Sequence, residues 1–308
     1  MIPANTKQNI NGILLVNKPM GLTSNAVLQQ VKRLFQAKKA GHTGSLDPLA
    51  TGMLPICFGE ATKFCQYLLD ADKCYEATGL LGIKTNTADA MGEVIARTEG
   101  FTVLPQDLEA VLAQFRGSIQ QIPSMFSALK HQGSPLYKYA RAGVEIDRKS
   151  RAVTIHQLQL NHFDGASFAI TVTCSKGTYI RNLVEDIGEQ LGLGAHVTQL
   201  HRLYTAGFAD EPMYSMDVLQ GMSTEQLIAS LLPMDRAVNY LPKLTVSTDM
   251  VFRLRQGKIV SDMPITPLSG PIRLYQDGLE FIGLGELEAG VGLKVKRLLS
   301  CNVLMSPS

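Results

Sequence analysis

The sequence predicts an α+β fold in two parts, and three observations carry that reading. Short apolar runs of strand length are interleaved with apolar residues at helical spacing. Two period-two stretches flank Asp164 and Gly165 as an antiparallel hairpin would. After Pro242, strand-like runs separated by glycine-containing turns dominate. With 308 residues, 45% of them hydrophobic, the chain is long enough for one large domain, 1–240, and a smaller β-rich one, 241–308, with the boundary near Tyr240 to Leu244.

Ile13 to Val16 reads as a buried strand closed by the turn-forming KPMG. Ser24 is expected to cap a helix whose apolar stripe is Val27, Val31, Leu34 and Phe35. MLPICF is a second strand, and Ala61, Phe64, Cys65, Leu68 and Leu69 mark an amphipathic helix. Tyr75 to Ile83 is a strand; Leu108, Val111, Leu112 and Phe115 form the next helical stripe, with Pro105 and Asp107 near its start. The polar, basic segment 124–150 is expected to project as a long loop with one short helix around Tyr137 to Ala142. Val153, Ile155, Leu158 and Leu160, then Phe168, Ile170, Val172 and Cys174, make the hairpin, with a register break between Ile155 and Leu158. Leu183, Ile187 and Leu191 follow as a helix; PIRLYQ, LEFIGLGEL and VGLKVKRLLS are the strands of the tail.

Composition removes several function classes. No run approaches the eighteen or so apolar residues of a membrane span, and the opening residues lack the basic flank and cleavage site of a leader, so a cytoplasmic protein is expected. Five cysteines, Cys57, Cys65, Cys74, Cys174 and Cys301, form no CxxC pair and read as small core residues, not as a disulfide framework or a zinc site. The six histidines are scattered, so no metal is expected. There is no GxSxG, P-loop or GxGxxG frame, which removes hydrolase, nucleotide triphosphatase and dinucleotide readings. Net charge is only +2, yet it is segregated: Ser24 to Leu46 carries Lys32, Arg33, Lys38 and Lys39 with no acid, and Ala128 to Arg151 six basic residues against two acidic ones. Asp89 to Phe115 holds five acids and one arginine. This suits a basic face toward phosphates, or equally a set of solvated helix faces.

Two glycine-bounded clusters concentrate the chemistry. GHTGSLDPLATG places Asp47 between His42 and Pro48; by itself it is a turn former or, given partners, a reactive carboxylate. CSKGTYIRNLVEDIG leaves a strand, turns at Gly177 and begins a helix near Thr178, bringing Tyr179 and Arg181 to a strand-to-helix junction. An arginine there can hold a carboxylate and keep it ionised.

These blocks, with GILLVNKPMGLTS, KCYEATGLLGIKTNTADAMGEV, IPSMFSALKHQGSPLYKYARAGV and GLGAHVTQLHRL in the same order, resemble the TruB family of bacterial tRNA pseudouridine-55 synthases over nearly the first 210 residues. The resemblance implies a mixed, largely antiparallel sheet flanked by helices, with a small C-terminal RNA-binding domain of the PUA type. It implies isomerisation of uridine 55 in the T-loop of tRNA without metal or cofactor. The weak net charge and the absence of long coiled-coil heptads make a monomer with no obligate protein partner the expectation. Asp47 matches the catalytic nucleophile, which attacks the sugar or, on the competing view, the base. Breaking a glycosidic bond develops positive charge at C1′, which a carboxylate can bond or stabilise. Tyr75 matches the tyrosine that stacks on the flipped base and helps remove its C5 proton. Tyr179 and Leu200 match pocket-lining residues, Arg181 the partner of the aspartate, and His42 the side chain that fills the vacated space in the T-loop. Segment 124–150 matches a mobile thumb, with Lys130 and Lys138 as its RNA-contacting cations. Ser124, Phe126 and Asn182 depart from the family's usual proline, tyrosine, and threonine or serine. The competing readings are a tRNA-binding and folding protein with secondary or no modification activity, and a nucleoside hydrolase that would release uracil.

Overall fold

The computed structural model describes residues 7–261 and 268–300. Strand β1 (Gly12–Lys18) is followed by helix α1 (Ser24–Leu34), short β2 (Ala40–His42) and β3 (Thr51–Phe58). A 3-10 turn over Gly59–Phe64 then leads into α2 (Cys65–Asp70), where the spacing predicts a single amphipathic helix. The hydroxyl of Thr62 donates to the Gly59 carbonyl and holds this first stretch in the tighter turn. Next come β4 (Lys73–Leu81), a hairpin of β5 (Ile83–Thr85) and β6 (Val94–Arg97), α3 (Pro105–Gln114) and β7 (Gly117–Gln121). Segment 124–150 holds a small hairpin, β8 (Lys130–His131) and β9 (Ser134–Pro135), and helix α4 (Leu136–Arg141). The hairpin has no apolar alternation to announce it.

Strands β10 (Arg151–Phe163) and β11 (Ser167–Cys174) pair antiparallel with a register shift between Ile155 and Gln157, where the sequence loses phase. Helix α5 (Ile180–Gln190), β12 (Ala195–Thr205), β13 (Tyr214–Ser215), α6 (Met216–Gly221) and α7 (Thr224–Ala229) complete this part. The sheet has nine strands in the order β13-β1-β3-β12-β4-β11-β10-β7, with β2 added on β3. Pairs β1–β13 and β3–β12 are parallel and the others antiparallel, the mixed, largely antiparallel sheet the sequence predicts.

Apolar patterning explains how the sheet is covered. β1 and β3 read as unbroken apolar runs because both their faces are buried. Leu14, Val16, Leu54 and Ile56 pack with α1, α6 and α7, while Ile13, Leu15, Met53 and Cys57 pack with the 3-10 turn and α2. β11 alternates strictly, and its inward residues Phe168, Ile170 and Val172 join Tyr75 and Ala77 beneath α3 and α5. Its other face stays partly open.

Two further expectations are corrected. The cap of α1 is Thr23, whose hydroxyl accepts from the Ala26 N–H. Ser24 is the first helical residue and its hydroxyl is buried elsewhere, for a reason given below. Helix α5 begins at Ile180, not near Thr178, because the side chain of Gln121 bonds both backbone groups of Tyr179 and holds that residue extended.

The tail forms a separate four-stranded sheet, β14 (Lys243–Val246), β15 (Gly270–Gln276), β16 (Glu280–Glu288) and β17 (Gly292–Leu298), in that order, with helix α8 (Thr248–Arg255) on its own core. It seats against the 3-10 turn through Phe64 and Phe281, Lys63 Nζ on the Leu298 carbonyl at 2.9 Å, and Glu60 on the Ser300 N–H at 2.6 Å. Cys57, Cys74 and Cys174 are buried core residues and Cys65 is half-buried; Cys301 lies outside the described residues. No helix among the described residues is long and apolar enough to cross a membrane.

Candidate active site

Asp47 sits on the loop between β2 and β3, and that loop is fastened on both sides of it. Ser24 Oγ accepts from the Leu46 N–H at 2.8 Å and donates to the Leu46 carbonyl at 3.0 Å. Lys18 is wholly buried; its ammonium donates to the Pro19 and Leu22 carbonyls at 2.8 and 2.7 Å and reaches that of Pro48 at 3.5 Å. The Gly21 N–H meets the same Pro48 carbonyl at 2.8 Å. Gly52, at φ +99°, lets the loop re-enter β3 against β12, where a Cβ would stand 2.2 Å from the Arg202 carbonyl oxygen. Proline after Asp47 favours an extended backbone at the aspartate.

Arg181, at the start of α5, meets this loop from the other side. Its Nε lies 2.9 Å from Asp47 Oδ2, and its Nη1 3.4 Å from Asp89 Oδ2. Nη1 also donates to the Thr87 carbonyl at 2.8 Å and Nη2 to the Phe126 carbonyl at 2.9 Å. Asp89 is buried, and its Oδ1 accepts from Thr87 Oγ1 and the Met91 N–H. The guanidinium thus joins the aspartate loop, the Thr87–Asp89 turn and the base of segment 124–150.

A cleft of about 310 Å³ opens here, lined by Asp47, Tyr75, Tyr179, Arg181, Leu200 and Arg202 among others. Among the described residues, Asp47 is the sole carboxylate lining it. Although 39% of its side chain remains accessible, burial of the rest raises the carboxyl above its usual range; Arg181 opposes the rise and Asp89 adds to it. Burial also raises the phenol of Tyr75, against the influence of Arg202. Arg151 lies over the Tyr179 ring, 5.1 Å from its centroid, and donates to the Gly177 carbonyl, fixing that wall.

Of the residues singled out from sequence, the structure brings Asp47, Tyr75, Tyr179, Arg181 and Leu200 together. His42 is not among the residues lining the cleft: it ends β2 half-buried, with Nδ1 enclosed and unpartnered and its pKa lowered by burial and by Arg202. Lys130 and Lys138 are exposed on segment 124–150 and do not line it either. At the base of that segment Ser124 Oγ accepts from the Phe126 N–H, and Arg148 donates to the Pro123 carbonyl. Asn182 donates to the Ile122 carbonyl at 2.9 Å, so Ser124 and Asn182 each make a local hydrogen bond.

Sequence reasoning missed Asp89, Lys18, Lys73 and Arg202, because nothing in their spacing marks them. Lys73 is buried with its ammonium on the carbonyls of Leu68, Leu69 and Ala71 at the end of α2. Burial lowers both Lys18 and Lys73 to about 8. Three buried cations, Lys73, Arg181 and Arg202, line the cleft with one carboxylate, Asp47, among the described residues, and buried Lys18 acts on Asp47 from just outside it. Such a cleft is electropositive and attracts anions. A larger cavity of about 450 Å³ on the opposite side of the sheet is lined by Glu76, Thr78, Gln199 and His201, but among the described residues has no cation paired with its acid. No group of three or more His, Cys, Asp or Glu side chains able to hold a metal occurs among the described residues.

Residues 32–180 match the TruB family pseudouridylate synthase N-terminal domain. Residues 181–239 match the tRNA pseudouridylate synthase B C-terminal domain, and 242–299 the C-terminal domain of pseudouridine synthase II TruB. A tRNA pseudouridine synthase B of Legionella pneumophila (strain Philadelphia 1) is 58% identical over 292 residues, 95% of this chain and 96% of that protein. That of Pasteurella multocida (strain Pm70) is 48% identical, covering 97% and 99%. Among solved structures, a chain of a Cbf5-Nop10-Gar1 complex superposes with TM-score 0.72 at 26% identity, over 93% of this chain and 84% of that one.

Proposed function

The chain belongs to the TruB family of pseudouridylate synthases, and on that premise we propose that it isomerises uridine 55 in the T-loop of tRNA to pseudouridine. The observation that carries the reading is the one carboxylate that lines the cleft among the described residues, Asp47, ion-paired to a buried arginine and placed in one cavity with Tyr75 and Tyr179. The reaction is balanced within the substrate: N1–C1′ breaks, C5–C1′ forms, and the proton on C5 is replaced by one on N1.

The target base leaves its stack and enters the cleft, where the rings of Tyr75 and Tyr179 and the side chain of Leu200 enclose it. Asp47 acts as the nucleophile, at the sugar or in the alternative course at the base, and Arg181 holds it ionised and aimed. The uracil remains in the cavity, turns, and rejoins through C5, and Tyr75 receives the C5 proton. Lys130 and Lys138 extend basic charge toward the RNA backbone, and His42 occupies the space the base vacates. The small C-terminal domain, 241–308, adds RNA contact, and the enzyme acts as a monomer in the cytoplasm.

Incubating the purified protein with an unmodified tRNA transcript, followed by carbodiimide-dependent mapping of pseudouridine, tests the reading. A stop at the T-loop uridine that Asp47→Asn abolishes supports it. Tight binding of the transcript without a stop favours the RNA-binding alternative, and release of free uracil a hydrolase.

A further inference from the structure

Arg202 is among the largest fully buried side chains of the described residues, 1% exposed, yet no carboxylate among those residues is ion-paired with it. Its Nε donates to the Met53 carbonyl at 2.6 Å and its Nη2 to the Gly44 carbonyl at 2.9 Å, both neutral oxygens. Those two carbonyls bracket the loop that carries Asp47. In the sheet Arg202 is the register partner of Tyr75, β12 against β4. Gly44 leaves room for the guanidinium: a Cβ there would lie 3.3 Å from Nη1.

An isolated charge taken out of water is costly, and neutral carbonyls offset that only in part. A framework serving stability alone would be built at lower cost with a methionine. On the reading that Tyr75 receives the C5 proton, we propose that Arg202 is a positioning residue for that step: it braces the loop that carries Asp47 and sets its positive charge beside the phenol.

The phenol must give up its own proton to accept one from C5. In the transfer the C5–H bond breaks, its electron pair stays in the ring, and the proton passes to the phenolate oxygen. A positive charge nearby favours the phenolate. Burial raises the phenol, Cys174 and the Asp47 carboxylate add to that rise, and Arg202 acts against it.

The test compares the full-length protein with Arg202→Met, Arg202→Lys and Tyr75→Phe on a tRNA transcript carrying protium or deuterium at C5 of its uridines. Arg202→Met should lower kcat on the order of 100-fold with KM changed less than about threefold. The C5 isotope effect should grow, and the deficit should shrink as pH is raised from about 7 to about 9.5 toward the phenol's own range. Arg202→Lys keeps the charge and loses the fork, so it should recover part of kcat while remaining folded by circular dichroism. A deficit confined to KM, or one independent of pH with an unchanged isotope effect, overturns the proposal while leaving Tyr75 as the proton acceptor. Wild-type turnover in Tyr75→Phe overturns the proposal together with the reading of Tyr75 on which it rests.

Discussion

Asp47 Oδ2 lies 2.9 Å from Arg181 Nε, and the guanidinium that makes this contact is 5% exposed while the carboxylate is 39% exposed. The arginine is the fixed partner: two backbone carbonyls and Asp89 hold it from behind, and it presents one edge to the cleft. The aspartate is the approachable one, which is the arrangement a nucleophile requires.

Asp47→Asn is expected to fold and to bind tRNA with unchanged affinity, since the amide keeps the volume and one acceptor. Pseudouridine formation should fall at least ~10³-fold with loss of the nucleophile. A single-turnover assay beside a filter-binding titration separates the two properties.

The acid limb of kcat/KM should lie above the ordinary aspartate range, because burial raises Asp47 and only its ionised form reacts. Arg181 lowers that pKa and Asp89 raises it. Arg181→Met should therefore move the limb to higher pH, and Asp89→Asn to lower pH. Profiles for the three proteins check both signs.

Ser24→Ala leaves the Leu46 N–H and carbonyl without their partner and frees the loop next to Asp47. A loss of about 1–3 kcal/mol in unfolding free energy is expected, with a fall in kcat. Urea denaturation and turnover assays measure the two.

Gly52→Ala should be far more damaging than Gly21→Ala, although both glycines have positive φ. At Gly21 a Cβ meets nothing within 4 Å, so the expected cost is the conformational ~1 kcal/mol. At Gly52 it meets the β12 backbone at 2.2 Å, and a cost on the order of 3 kcal/mol or more is expected. Comparing their unfolding midpoints decides the point.

Lys130→Ala and Lys138→Ala should weaken tRNA binding without changing single-turnover kcat at saturating RNA. Each phosphate that is no longer neutralised should reduce the slope of log affinity against log salt by about 1. An unchanged slope removes these lysines from the RNA interface.

Periodicity made much of the fold legible. Helices α1, α3 and α5 and strands β1, β3, β4, β10 and β11 each bury a face whose spacing the sequence displays. Strand β12, central to the sheet, was not legible. Its register shifts between Val197 and Gln199 and again between Arg202 and Tyr204, so its alternation is broken twice. The short helices α6 and α7 are too brief to show a stripe.

For the site, the sequence by itself marked Asp47, Tyr75, Tyr179, Arg181 and Leu200, which the fold brings into one cleft, through blocks long enough to mark a family. Only the tertiary structure decided what supports it. Asp89 shares Arg181 with Asp47, Ser24 one residue past the Thr23 cap holds Leu46, and Arg202 reaches Gly44 from a strand far along the chain. Burial converts these side chains from ordinary surface chemistry into charges and hydroxyls that must find partners, and partner choice depends on which strands lie adjacent. That adjacency is a property of the assembled sheet, not of local spacing.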